Sequence, residues 1–389
     1  MIALDEARAR LLALAPELQI ETVDLVAAAG RILMADVHAR RTQPVRDLSA
    51  MDGYAVAGQG PWTVIGESAA GRAFGGAVQP GEAVRIFTGA VVPEGAVAVL
   101  MQEDMAREGD QVTLIADLEI KPGKHIRPRG SDFSEGQLLI PYGTRLTAPF
   151  LALAAASGHG QLAVARPITV ALISTGDELV APGQPCADDQ IPSSNAIMLH
   201  TLLARPGLIM HDLGIVPDRR DALAAAIARA STADVIITIG GASVGDHDLV
   251  RPCLMDAGAD LDFWKVAIKP GKPLMAGRLG ASVVIGLPGN PVSAYVTALL
   301  FAVPLLNAMT GMENPVPPLK SMPCGVALPA NSNRTDHVRA RLVDGHVIPV
   351  GVNDSAALVA LCSADGLIIR QPHAPAQDAG SNVDFMILS

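Results

Sequence analysis

Cysteine is scarce in this chain, which has only 4 in 389 residues, and no two of them form a CxxC pair. Disulfide scaffolds and structural zinc sites both need closely spaced cysteines, so the spacing argues against both and predicts a reducing, cytoplasmic compartment. Aromatic residues make up only 3% of the chain. The hydrophobic residues are therefore mainly small aliphatics, which suit layered α/β packing and β-sheets.

Positive charge is also in deficit, because 29 lysines and arginines face 39 acidic residues and the formal charge is −10. An acidic surface repels phosphate backbones, so a nucleic-acid partner is disfavoured. The N-terminus lacks the basic start and uninterrupted apolar stretch of a signal peptide, and none is expected. The longest apolar segment, Val292 to Met309, contains Pro304 and is predicted to be a core helix rather than a membrane span.

Two catalytic signatures are missing. The P-loop pattern GxxxxGK[ST] fails because Gly271-Lys272 is followed by Pro273, and HExxH does not occur. These absences exclude a P-loop NTPase and give no support to a zinc protease.

Hydrophobic patterning divides the chain into regions. Helical spacing over 4–15 predicts an N-terminal helix, and short β-branched runs broken by glycine and proline predict a small β domain from about 45 to 137. From about 167 to 305 compact strands alternate with helices, which implies right-handed crossovers and a largely parallel sheet. Short strands return after about 315. The predicted fold class is a multidomain protein with a central α/β domain and two β domains.

Within the central region three strands are predicted, at 168–173, 235–239 and 283–287. Asn195 and Asp218 are predicted to cap the helices that lie between them. In open parallel sheets ligands bind beyond the carboxyl ends of the strands, so the residues after each strand are the natural site candidates. Glycines, hydroxyls and carboxylates follow all three strands, in segments 174–178 (STGDE), 240–248 (GGASVGDHD) and 286–293 (GLPGNPVS).

The third of these loops is predicted to start a helix, with Asn290 as its cap and Pro291 in its first turn. Backbone N–H groups at such a helix start, together with nearby glycines, form a ready anion site. The loops therefore predict a phosphate site. The alternative is an ordinary capped core helix, which would have the same sequence.

Four loop acids, Asp177, Glu178, Asp246 and Asp248, would repel a phosphate unless a cation lay between them. Mg²⁺ commonly bridges one or two carboxylates to phosphate oxygens, so these acids predict a magnesium site. Solvated loop acids are the alternative.

The turn 269–273 (KPGKP) holds Lys269 and Lys272 between prolines. Two fixed ammonium groups suit a small dianion or a pyrophosphate, whereas a solvent-facing hairpin is the alternative. Taken together, the loops predict a Mg²⁺-assisted enzyme acting on a phosphorylated small molecule, without naming the substrate.

Seven strings in family order resemble the molybdopterin molybdenumtransferases, the MoeA and gephyrin E-domain group. The resemblance covers nearly the whole chain. The strings are 49–56 (SAMDGYAV), 87–90 (FTGA), 129–132 (RGSD), 174–179 (STGDEL), 240–248, 269–273 and 286–293. One departure is Gly-Gly-Ala-Ser at 240–243, where the family usually has Gly-Gly-Val-Ser, and the C-terminal region is less typical around 333–336 and 353–355.

The resemblance implies an elongated homodimer with four parts. These are a discontinuous linker region (1–46 and 138–166), a small β domain (47–137), a MogA-like α/β domain (167–314) and a C-terminal β-barrel (315–389). It also implies that adenylylated molybdopterin and molybdate are converted, with a divalent metal, to molybdenum cofactor and AMP. A molybdopterin adenylyltransferase is then an expected partner, and no membrane partner is expected.

The resemblance and the charges together assign the site residues. The acids are expected to hold Mg²⁺ and orient the pyrophosphate, the lysines to hold molybdate or the terminal phosphate, and the loops to cradle the pterin phosphate. Asp52 and Thr88 are expected to act from the other subunit, without an assigned role. The catalytic candidates are Asp52, Thr88, Glu178, Asp248, Lys269 and Lys272. The candidate metal ligands are Asp177, Glu178, Asp246 and Asp248. The candidate pterin-binding residues are Ser174, Thr175, Gly176, Gly240, Gly241, Ser243, Gly245, Pro288, Gly289, Asn290, Pro291 and Ser293.

Two other functions stay open at this point. A scaffold that keeps the fold without chemistry would not need the acid and lysine loops. Adenylylation of molybdopterin by the α/β domain would leave the added β domains and the KPGKP turn unexplained.

Overall fold

A computed structural model of the chain describes residues 1–115, 118–241, 249–351 and 354–388. The chain divides into two compact units, of which the large one comprises Met1–Thr22, Gly30–Met34 and Ala163–Ser389, and the small one Val23–Ala29 and Ala35–Leu162. The chain begins with helix α1 (Leu4–Leu12), which confirms the predicted N-terminal helix, and strand β1 (Ile20–Asp24).

The small unit is built almost entirely of short strands, as the sequence predicted. Trp62, Val56 and Leu100 are fully buried in its core. Its elements are β2 (Val37–His38), β3 (Leu48–Ser49), β4 (Gly53–Val56), β5 (Trp62–Ser68), β6 (Glu82–Ile86), β7 (Ala98–Met101), a 3₁₀ turn (Gln102–Asp104), β8 (Met105–Glu108), β9 (Gln111–Leu114), β10 (Ile126–Arg127), β11 (Leu138–Ile140) and α2 (Ala148–Ala156). The main sheet has the strand order β7-β4-β6-β5-β9-β8, and β10–β3 and β11–β2 form separate pairs.

The large unit contains the α/β region. Its elements are β12 (Gln161–Ala165), which pairs with β1, then β13 (Ile168–Thr175), β14 (Leu179–Val180), β15 (Ile191–Pro192), α3 (Asn195–Leu203), β16 (Leu208–Val216), α4 (Arg220–Ala230), β17 (Val235–Ile239), α5 (Val250–Asp256), β18 (Asp260–Lys265), β19 (Ile268–Lys269), β20 (Pro273–Leu279), β21 (Ser282–Leu287), α6 (Pro291–Thr297), a π turn (Ala298–Ala302) and α7 (Val303–Met309).

Six of these strands form one sheet, in the order β16-β13-β17-β21-β20-β18. The pairs among the first four strands are parallel, and the last two pairs are antiparallel. Alternate residues of the central strands face opposite helical layers, so that Leu172 packs with α3 and α6 while Ile173 packs with α4 and α5. The result is a three-layer arrangement that confirms the predicted central α/β domain, with an antiparallel hairpin at one side of the parallel strands.

Both predicted helix caps were wrong by one residue. The residue before α3 is Ser194, and Asn195 is already helical. The residue before α4 is Arg219, and Asp218 lies outside the helix. Both polar side chains make hydrogen bonds to other loops instead, which local helix-start patterns cannot reveal.

The apolar helix Pro291–Met309 is long enough to span a membrane by length and composition, but 83% of its apolar window is buried inside the protein. It is therefore a core helix, as predicted. Pro304 does not end it. The π turn Ala298–Ala302 precedes the proline, and such a turn shifts the backbone hydrogen-bond ladder at a residue that has no N–H to donate.

The C-terminal part of the large unit is a second sheet. Its elements are β22 (Lys320–Pro323), β23 (Thr335–Val343), β24 (His346–Pro349), α8 (Leu358–Cys362), β25 (Gly366–Arg370) and β26 (Asn382–Ile387). The strand order is β19-β23-β25-β26-β22, with β24 also paired to β23. Gly325, just after β22, donates its N–H to the carbonyl of Val347 in β24 at 2.9 Å, which joins the two ends of the path β24-β23-β25-β26-β22.

His337 on β23 is 3% exposed. Burial lowers the pKa of His337 from 6.5 to about 4. The unfolded chain therefore takes up a proton below pH 6.5 that the folded protein cannot take up until about pH 4, and stability is lost as the pH falls through that window.

We expect His337→Leu to reduce the stability lost between pH 7.5 and 5 by about 2 kcal/mol in urea unfolding, because the variant has no imidazole to protonate. His211, which is exposed, provides the control, and His211→Gln should keep the pH dependence of the wild type. An identical loss in the wild type and His337→Leu would contradict the prediction.

Candidate active site

The carboxyl ends of β13, β17 and β21 meet at one edge of the sheet, because these strands are parallel neighbours. The loops that follow them surround a cavity of about 610 Å³. The structure thus brings together most of the predicted pterin-binding residues. Those that line the cavity are Ser174, Thr175, Gly176, Gly240, Gly241, Pro288, Gly289, Asn290 and Pro291, with Glu178 from the acid set.

Glu178 occupies a space that only a glycine at position 176 leaves open. A Cβ added at Gly176 would lie 2.5 Å from one carboxylate oxygen of Glu178, and the backbone φ of +149° is one that side chains rarely adopt. The backbone of Glu178 is also held, since its carbonyl accepts the N–H of Ile191 at 2.8 Å. The first loop therefore places an exposed carboxylate at the cavity wall.

Asp218 connects two residues of the same loop. The hydroxyl of Thr175 donates a short hydrogen bond to the Asp218 carboxylate. The backbone N–H of Asp218 donates to Asp177 Oδ1 at 3.0 Å. Asp218 lines the cavity, whereas Asp177 does not. The sequence patterns gave no hint of this role, because β16, which ends just before Asp218, contains polar residues and escaped prediction as a strand.

Asn195 connects the start of α3 to the third loop. Its Nδ2 donates to the carbonyl of Gly289 at 2.6 Å, while its buried Oδ1 has no hydrogen-bond partner among the described residues. Ser174 is 1% exposed, and within the same described part of the chain its hydroxyl has no partner either. Both residues line the cavity. Buried polar atoms without partners are rare in folded proteins, so these two atoms are candidates for contact with a bound ligand or water.

The third loop begins α6 as predicted, with Asn290 before the helix and Pro291 in its first turn. The Asn290 side chain does not cap the helix but donates to the hydroxyl of Ser355 at 3.2 Å. The carbonyl of Ser355 accepts the N–H of Val292 at 3.0 Å, so the C-terminal region occupies one donor of the helix start. Ser293 is buried in the first turn and does not line the cavity.

The lysine turn lies at the junction with the C-terminal sheet. Lys269 belongs to β19, which pairs with β23, and its ammonium group lies 3.3 Å from the carboxylate of Asp336. Lys269 lines a different cavity of about 460 Å³. Lys272 is exposed, and its neighbour Pro273 lines the first cavity. The two lysines therefore do not share the first cavity with Glu178.

Asp52 and Thr88 lie together in the small unit, although 36 positions separate them in sequence. Asp52 Oδ1 accepts both the backbone N–H and the hydroxyl of Thr88, each at 2.7 Å. These two hydrogen bonds hold the pKa of Asp52 below its ordinary value, so this carboxylate stays ionised at lower pH than a free aspartate.

Four predicted site residues, Ser243, Gly245, Asp246 and Asp248, lie outside the described residues. Within the described part of the chain, no group of three or more His, Cys, Asp or Glu side chains could hold a metal ion. The candidate ligands that can be located are Asp177 and Glu178.

Comparison with known families matches three consecutive profiles to this chain. Residues 2–158 match the MoeA N-terminal region (domain I and II), residues 171–308 match a "Probable molybdopterin binding domain", and residues 321–388 match the MoeA C-terminal region (domain IV).

Several curated relatives have the same printed name, molybdopterin molybdenumtransferase. The protein from Haemophilus influenzae is 39% identical over 80% of this chain and 79% of its own length. Molybdopterin molybdenumtransferase 2 from Mycobacterium tuberculosis is 38% identical over 89% of this chain and 90% of its own. The Bacillus subtilis protein is 31% identical over 100% of this chain and 94% of its own length.

Solved structures give the same result for the fold. Two crystal structures of a molybdopterin biosynthesis MoeA protein from Pyrococcus horikoshii superpose with TM-scores of 0.83 and 0.82, at 29% and 25% identity. The first superposition covers 100% of this chain and 99% of the crystallised chain, and the second covers 100% of both chains.

We expect Gly176→Ala to destabilise the protein by about 1–3 kcal/mol, because the backbone conformation at Gly176 is strained for any residue with a Cβ, whereas the carboxylate end of the exposed Glu178 side chain can turn away at little cost. Gly183→Ala is the matched control, since Gly183 has φ +83° and open space around an added Cβ. Urea unfolding measures both variants. The two variants should lose similar amounts of stability, and a much larger loss in Gly176→Ala would contradict the prediction.

Proposed function

The chain belongs to the molybdopterin molybdenumtransferase family, the MoeA group, and we propose that it inserts molybdate into adenylylated molybdopterin, releasing AMP and molybdenum cofactor. The observation that carries this proposal is the cavity of about 610 Å³ at which three strand-end loops converge. Its size suits a drug-sized ligand such as a pterin phosphate, and its wall combines glycine backbone, hydroxyls and one carboxylate.

The pterin phosphate would bind to backbone donors of the second and third loops. Gly240 has φ +90°, and a Cβ there would lie 2.8 Å from the carbonyl of Thr175, so the first two loops approach closely only because this residue is glycine. Gly289 and the start of α6 contribute N–H groups at the positive end of a buried helix. The unpartnered Ser174 hydroxyl is one further polar group for the ligand.

A divalent metal fits the acids that can be located. Mg²⁺ is usually bound by one or two protein carboxylates together with substrate phosphates and water. Glu178 would hold it from the cavity wall, with Asp177, Asp246 and Asp248 as the other candidate ligands. When bound, the metal would polarise the phosphoanhydride and neutralise charge that develops as AMP leaves. Glu178 itself would orient the reacting group, because its carboxylate lies at the cavity wall.

Lys269 and Lys272 are proposed to hold molybdate or the terminal phosphate. Fixed ammonium groups stabilise an oxyanion without needing to move during the reaction. The ion pair of Lys269 with Asp336 keeps that ammonium group in place before an anion binds. Asp52 and Thr88 are proposed as further catalytic residues, and the lowered pKa of Asp52 means that it is an ionised carboxylate at neutral pH.

The wider organisation is proposed from the same resemblance. We propose four domains, with a discontinuous linker region (1–46 and 138–166), a small β domain (47–137), a MogA-like α/β domain (167–314) and a C-terminal β-barrel (315–389). The protein is proposed to be a cytoplasmic homodimer that receives its substrate from a molybdopterin adenylyltransferase. The widely spaced cysteines support the reducing compartment.

We expect Glu178→Gln to lower AMP release from adenylylated molybdopterin about 100-fold, because it removes the charge that would hold the metal and keeps the shape of the side chain. The Mg²⁺ concentration for half-maximal activity should rise as well. The assay follows AMP by chromatography across a Mg²⁺ titration.

Glu313→Gln is the matched control, because Glu313 is exposed and does not line the cavity. It should keep the wild-type rate and Mg²⁺ dependence. Undiminished AMP release by Glu178→Gln, with an unchanged Mg²⁺ requirement, would remove Glu178 from the proposed site.

The homodimer predicts twice the chain mass of 40.2 kDa in light scattering. If Asp52 acts on the site of the other subunit, co-expressed Asp52→Asn and Lys272→Ala chains should recover about a quarter of wild-type activity, since half of the dimers are mixed and each has one intact site. Each variant alone should be inactive. A monomeric mass, or mixed dimers without activity, would contradict the shared site.

A further inference from the structure

Arg85, on β6 of the small unit, makes a set of contacts that the proposed chemistry does not use. It is half-buried, and its guanidinium carbon lies 4.6 Å from the ring centre of Phe87 and 5.3 Å from that of Tyr54. Stacking against two aromatic faces holds a guanidinium group in one plane. Arg85 is therefore a rigid donor rather than a mobile surface charge.

The donors of Arg85 reach the backbone on both sides of the Asp52–Thr88 pair. Its Nη1 donates to the carbonyl of Gly53 at 2.7 Å and to that of Ile86 at 3.3 Å. Gly53 directly follows Asp52, and Ile86 lies two residues before Thr88. One nitrogen thus joins the two strands from which the pair projects.

A second connection runs through Gln102. Arg85 Nη2 donates to Gln102 Oε1 at 2.5 Å, and the backbone N–H of Gln102 donates to the carbonyl of Asp52 at 3.1 Å. The backbone carbonyls of Asp52 and Gly53 are therefore both held by a network centred on one guanidinium group. Its hydrogen bonds go to carbonyl and amide oxygens, so Arg85 acts on the pair through the backbone.

Together these contacts give Arg85 a place in the proposed reaction. We propose that Arg85 is a positioning residue, which holds Asp52 and Thr88 at hydrogen-bond distance by clamping β4, β6 and Gln102. The proposal rests on the catalytic role proposed for Asp52 and Thr88. A displacement of about 1 Å in a catalytic group can lower a rate about 100-fold, so such a clamp matters for activity.

A lysine at position 85 could not make the contacts of Arg85. Its ammonium group is a compact charge without the planar fork that serves Gly53, Ile86 and Gln102 together, and it stacks less well between two rings. Arg85→Lys therefore keeps the charge near Asp52 but loses the clamp, while Arg85→Met loses both. The two variants separate positioning from simple electrostatics.

The direct test follows the Thr88 amide in protein labelled with ¹⁵N-threonine. In the wild type the N–H bonded to the Asp52 carboxylate should resonate downfield and exchange slowly with solvent. In Arg85→Met and in Arg85→Lys we expect an upfield shift and at least about tenfold faster exchange, because the pair opens more often. An unchanged Thr88 signal in both variants would overturn the proposal.

Arg72→Met is the matched control. Arg72 is also an arginine of the small unit, and it contacts the carboxylate of Glu67 at 2.8 Å. The Thr88 signal should be unchanged in this variant. If Arg85→Met does not fold, as judged by circular dichroism, Arg85→Lys alone decides the question.

Kinetics distinguish this proposal from the proposed function. We expect Arg85→Lys and Arg85→Met to lower kcat by about 10- to 100-fold with KM changed less than about threefold. A shifted Thr88 signal with full activity would overturn the link between positioning and rate. If Asp52→Asn also kept full activity, the catalytic role of Asp52 would fail while the structural clamp would stand.

Discussion

Parallel pairing of β13, β17 and β21 is the constraint on which the proposed site depends. Parallel strands all end at the same edge of a sheet, so three loops that are far apart in sequence must meet there. The helices on both faces bury these strands almost completely, and the edge is the place where polar loops can face a ligand. The cavity follows from this topology rather than from any one loop.

Hydrogen bonds between the loops then give the cavity a defined shape. Asp218 binds Thr175 and Asp177, and Asn195 binds the carbonyl of Gly289. Both side chains come from elements outside the three predicted loops. They hold the first and third loops against the sheet, and they leave Ser174 Oγ and Asn195 Oδ1 without partners among the residues that the structure describes. A site that keeps polar atoms unpaired in the free protein has stabilisation to gain when a ligand binds.

The C-terminal sheet takes part in this arrangement. It pairs with β19 of the lysine turn, holds the ammonium group of Lys269 through Asp336, and reaches the start of α6 through Ser355. A lysine turn on an isolated α/β domain would lack these contacts. Arg85 has a comparable proposed role in the small unit, where it would hold the Asp52–Thr88 pair through contacts with the backbone. In both units, residues that touch no substrate in the proposal determine where the reactive groups lie.

The sequence by itself determined the α/β class, the three strand-end loops, the helix start at Pro291 and the family, because hydrophobic periodicity, turn residues and ordered motifs are local signals. It could not show that Asn195 and Asp218 bind neighbouring loops instead of capping helices, since a polar residue before a helix has the same local pattern in both cases. Nor could it separate Lys269 from the cavity of Glu178. Only the tertiary structure decides which strand the lysine turn pairs with, because that pairing joins residues 67 positions apart through backbone hydrogen bonds that carry no sequence pattern.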